Sequence, residues 1–80
     1  MDQDKEFIIR LNRIDLGQVI DGLEVRARAW RDTANYLHTG ELPHPDFVVE
    51  VCRDVEEAER LAEWYERIIA SILTQQHSQH

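Results

Sequence analysis

The sequence predicts an all-α fold: an antiparallel helical hairpin with a short amino-terminal arm, two copies of which assemble into a four-helix bundle. Three observations carry this expectation. From Leu16 to Leu37 the residues Leu16, Ile20, Leu23, Ala27, Trp30, Ala34 and Leu37 recur at alternating spacings of four and three, which is a heptad seam on a helix. A second seam, Val51, Val55, Ala58, Ala62, Tyr65, Ile69 and Ile72, repeats the alternation beyond a break that contains Pro43 and Pro45. When the two seams run antiparallel, large residues meet small ones: Trp30 falls opposite Ala58 and Ala62, and Ala27 falls near Tyr65.

Residues 1–80 read as one domain, and each part has its own signals. The arm, residues 1–14, holds the apolar cluster Phe7, Ile8, Ile9 and Leu11. Helix 1 is predicted over residues 15–39, with Asp15 as N-cap, Gln18 at the capping-box position, and Ile14 with Val19 at the spacing of a hydrophobic staple. Gly22 inside it is either a tolerated defect or a point where another backbone comes close. Gly40 suits a left-handed C′ position, and the prolines that follow end the helix. The connection spans 40–53. Asp54 caps helix 2, predicted over 54–75, with Glu57 at the box position and Glu56 and Glu57 at the positive end of the helix dipole. Residues 76–80 form a frayed polar tail. An α+β alternative, with short strands at 6–11 and 47–52 joined through helix 1, comes from the β-branched run Val48, Val49, Val51. Strands of about 20 Å match a crossover helix of about 35 Å poorly.

Eighty residues are near the lower limit for a core that stands without a staple, and Cys52 is the only cysteine, so association is the expected reinforcement. The polar start, Met1 to Glu6, does not resemble a secretory signal, and no apolar run approaches the roughly 18 residues of a membrane span, so a cytoplasmic protein without membrane contact is expected. A net charge of −7 argues against binding along a nucleic-acid backbone. It is compatible with solubility alone, or with an acidic face that meets a basic protein.

Three candidate surfaces emerge. Leu61, Trp64 and Ile68 form a stripe beside the helix 2 seam, broader than one partner helix can cover, and are the expected dimer interface. Glu56, Glu59 and Glu63 are the candidate acidic partner face. Arg28, Arg31 and Asn35 share a turn-spaced face of helix 1, with Arg26 beside them, and offer donors for a phosphate or carboxylate. The plainer expectation for these arginines is ion pairing with Glu56, Glu59, Glu63 and Glu66. His38, Glu41, His44, Asp46 and Cys52 include metal-ligand types, but their spacing matches no zinc or di-iron module, and no metal or cofactor is expected. There is no phosphate-cradling glycine loop, triad order or dinucleotide fingerprint, so the expectation is a non-catalytic protein rather than an enzyme. Such a chain is an interaction module, acting as adaptor, regulator or inhibitor; the alternative is an oligomer that holds a small anion such as a nucleotide.

Overall fold

Asn12 starts the first helix. Its side-chain oxygen accepts the Asp15 backbone N–H at 2.7 Å, and its carbonyl accepts the Leu16 N–H at 3.0 Å. The computed structural model of the chain describes residues 5–78, and α1 runs Arg13–Thr39 within it. The predicted cap at Asp15 is therefore corrected: Asp15 lies in the first turn, where its charge suits the helix dipole. The staple shifts with it, from Ile14 and Val19 to the equally spaced Leu11 and Leu16, which border the same gap, while Ile14 is left 76% exposed. α1 ends as expected, with Gly40 at φ 78° donating its N–H to the Tyr36 carbonyl.

α2 runs Val55–His77 behind an Asp54 cap that accepts the Glu57 N–H at 2.8 Å. The return bond goes one residue further back than in a standard box. Glu57 accepts the Arg53 backbone N–H at 3.1 Å and the Arg53 Nε at 2.9 Å. These two bonds, the backbone one foremost, hold the Glu57 carboxyl below its ordinary value of 4.5. A depressed carboxyl stabilises the fold above its unfolded pKa, and that contribution disappears as pH falls through the folded value. Glu57→Gln should accordingly flatten the acid limb of a stability–pH profile measured by urea unfolding. Met1–Asp4 of the arm and Gln79–His80 of the tail lie outside the described residues.

The helices pack directly on each other and the described residues contain no strand, so the chain is an all-α hairpin. The strand alternative at 6–11 and 47–52 is overturned. Segment 47–52 is tied to α1 instead: the Glu50 N–H donates to Thr33 Oγ1 at 3.1 Å, Glu50 Oε1 accepts from Arg26 at 3.1 Å, and Phe47 stacks at a tilt on Tyr36.

At the closed end, Trp30, Ala34, Ala58 and Ala62 make the core, with Cys52, Val55, Leu61 and Tyr65 packed around them. The large-to-small match at Trp30 is realised. Two seam members are not: Leu37 is 42% exposed, and Val51, outside any helix, is 96% exposed. The connection returns along α1 rather than continuing α2 backwards, and Thr33, off the seam, is fully buried along with the seam residues Ala58 and Ala62. Gly22 meets no close approach, since nothing lies within 4 Å of the position its Cβ would occupy. Gly22→Ala should thus raise stability by about 1 kcal/mol and the melting temperature by about 4–8 °C, read by thermal denaturation.

The chain remains open for its size. A compact protein of 9.5 kDa exposes about 5000 Å², whereas this one exposes 6984 Å². Its radius of gyration is 15.2 Å, against about 12 Å for a compact 80-residue chain.

Candidate functional site

The hairpin has two unlike flanks, which follow from the 100° step between successive helix residues. One flank carries Arg31 from α1 and Glu59, Glu63 and Glu66 from α2. Arg31 donates to Glu66 through Nε at 3.3 Å and through a terminal nitrogen at 2.8 Å, a two-pronged pair that closes the flank. That bond, with the nearby charges of Glu63 and Glu59, holds the Arg31 pKa above its ordinary value despite some burial.

The arginine patch and the acidic face, read separately from the sequence, therefore share one surface. Arg31 is engaged by Glu66, while Glu56, Glu59 and Glu63 line the same side of α2, with Glu56 and Glu63 exposed. Arg28 points elsewhere. It borders a shallow depression behind α1 with Asp32, His44 and Asp46, and makes no ion pair among the described residues. Asn35 is exposed, and its carbonyl accepts the Thr39 hydroxyl. Arg26 turns to the opposite flank, where it meets Glu50 and lies 5.8 Å from the Trp30 ring centre. Of the three donors of the anion fork, Arg31 is taken by Glu66 and Arg28 borders the depression behind α1, so the two guanidinium groups do not converge. Because the Arg31–Glu66 pair is exposed, Arg31→Ala should change stability by less than about 1 kcal/mol in urea unfolding.

The second flank is apolar. Leu61, Trp64, Ile68 and Ile72 line its α2 side; Val19, Leu23 and Arg26 line its α1 side. Segment 47–52 lies at one end, held to Thr33 and with Cys52 packed against the core. The arm borders the other end, where Phe7, Ile9 and Leu11 line one side and Leu16, Val19 and Ile72 the other side of a gap of about 350 Å³, and Phe7, Ile9 and Val19 stay exposed. Between these two segments Trp64 is 57% and Ile68 37% exposed. The structure divides the predicted stripe: Leu61 is half-buried against the chain's own core, whereas Trp64 and Ile68 stay open. Local spacing did not separate them: Leu61 packs against the Trp30, Ala34, Ala58 and Ala62 cluster, which the stripe alone does not show.

Around the turn, His44 meets the Phe47 ring edge-on at 5.8 Å. Among the described residues no three His, Cys, Asp or Glu side chains lie close enough to hold a metal ion. No helix among them is long and apolar enough to cross a membrane. Compared with protein-family models, curated proteins and solved structures, the chain matches none.

Proposed function

We propose that this protein is a non-catalytic interaction module that pairs with a second copy of itself through the Trp64 flank and presents its acidic flank to a basic protein partner. One observation carries the first half: Trp64 stands 57% exposed beside Ile68, on an apolar flank that the described residues leave open between segment 47–52 and the arm. Tryptophan left open on an apolar surface is the residue type most enriched at binding hot spots. The surplus of exposed surface, about 2000 Å² over a compact chain, is of the size a homodimer buries.

Light scattering at micromolar concentration should give twice the 9.5 kDa chain mass, and Trp64→Asp should halve it while helical circular dichroism is kept. A wild-type monomer would remove the self-association reading. The acidic half rests on the exposure of Glu56 and Glu63 and on the chain's net charge of −7. The test is capture of a stoichiometric basic protein from the native host. Its loss in the Glu59→Lys, Glu63→Lys variant supports this half, and unchanged capture eliminates it. The anion-holding alternative has less behind it, since Glu66 already occupies the Arg31 fork. A thermal-shift screen against nucleotides and inorganic phosphate decides it, a ligand at 100 times its dissociation constant adding about 2.7 kcal/mol.

A further inference from the structure

The arm offers more than apolar side chains. From Lys5 to Leu11 no backbone N–H or C=O group bonds to another backbone group among the described residues, so a full edge of donors and acceptors stands free. Its side chains divide by alternation. Phe7, Ile9 and Leu11 border the gap above Leu16, Val19 and Ile72, with Phe7 and Ile9 each still 75% exposed, and Lys5 lies 5.6 Å from the Phe7 ring centre. Ile8 does not border that gap and is 96% exposed.

Read about Ile8, the sequence is complementary to its own reverse. In an antiparallel pair centred there, Glu6 opposes Arg10 twice, Phe7 opposes Ile9 twice and Ile8 opposes Ile8; the complementarity spans residues 6–10, and Lys5 falls opposite Leu11 at each end. A shift by one residue in either direction would break both charge pairs and turn the apolar face away from the helices.

We propose that two copies of this chain join through their arms, residues 5–11 pairing antiparallel about Ile8 as a two-stranded ribbon whose Phe7, Ile9 and Leu11 face lies on the open ends of both hairpins. This rests on the self-association reading and gives it a specific mode. A two-stranded ribbon alone is marginal in water, and the apolar floor of Leu16, Val19 and Ile72 supplies the support it needs. The chain's own segment 47–52 is not available as the partner strand, because Thr33 and Arg26 hold it at the other end of the flank. The arm then continues the Trp64 and Ile68 surface into one interface.

Disulfide trapping in the full chain tests the register. In a Cys52→Ser background, Ile8→Cys places each thiol opposite its own copy, within reach of a disulfide, so mild oxidation at micromolar concentration should give mostly covalent dimer. Glu6→Cys sets the two thiols four residues apart along the ribbon, about 13 Å, and should stay uncrosslinked. Charge supplies an independent arm: Glu6→Arg and Arg10→Glu should each weaken the dimer about tenfold at low salt, and an equimolar mixture of the two variants should recover a heterodimer near wild-type affinity. A dimer that is indifferent to both reversals, with Ile8→Cys crosslinking no faster than Glu6→Cys, overturns the ribbon and leaves self-association standing. A chain that stays monomeric overturns both.

Discussion

Trp30→Ala should remove most of the stability of the hairpin. Trp30 is 7% exposed and is the one large side chain at the centre of the core, where Ala34, Ala58 and Ala62 close around it. Truncating a buried tryptophan costs about 3–5 kcal/mol, as lost burial plus a cavity that the neighbours do not fill. Helix backbones carrying alanines cannot collapse far into that space. The guanidinium of Arg26 also loses the ring beside it. An 80-residue domain has about 4–12 kcal/mol in total, so the variant should melt at least about 15 °C lower or be largely unfolded, as followed by circular dichroism in urea and on heating. A loss below about 1 kcal/mol would place the ring at the surface and contradict the core described above.

The converse substitution, Ala62→Leu, should destabilise by about 1–3 kcal/mol or more. Ala58 and Ala62 are both fully buried, and their small size is what lets α2 approach Trp30. Three added carbons have no void to enter, so the helices must separate or Trp30 must leave its rotamer. Ala70→Leu is the matched control, because Ala70 lies exposed on the same helix and leucine is nearly as good a helix former as alanine. Similar urea midpoints for both variants would mean that the helices do not meet closely at Ala62. A shift confined to Ala62→Leu would locate the contact there.

Much of this architecture was legible because it is written in short-range signals. Asp54 and Gly40 act within four residues of themselves, the one starting α2 and the other ending α1 where the spacing of side chains predicts it. The start of α1 was harder, since Asn12 and Asp15 are both good caps and the pairs Leu11 with Leu16 and Ile14 with Val19 have the same spacing. Only the neighbours of Leu11 and Leu16 at the open end distinguish the two frames. For the candidate surfaces, residue type and helical face were readable, but the partners were not. Nothing local tells Arg31 to meet Glu66, 35 residues away, or Arg26 to meet Glu50.

By itself, then, the sequence determined the two helices, their direction and the meeting of Trp30 with Ala58 and Ala62, because propensity, capping and a repeat near 3.5 residues are properties of neighbouring positions. Only the tertiary structure decided the path of residues 40–53. That path meets Thr33, which is buried, and leaves Leu37 and Val51 exposed. A connection has no periodicity to read, and where it settles is set by hydrogen bonds and contacts made across the fold, here Glu50 to Thr33 and Phe47 to Tyr36. The two flanks differ as well: one is closed by a charge pair between helices, and the other is bordered at its ends by segments that belong to neither helix.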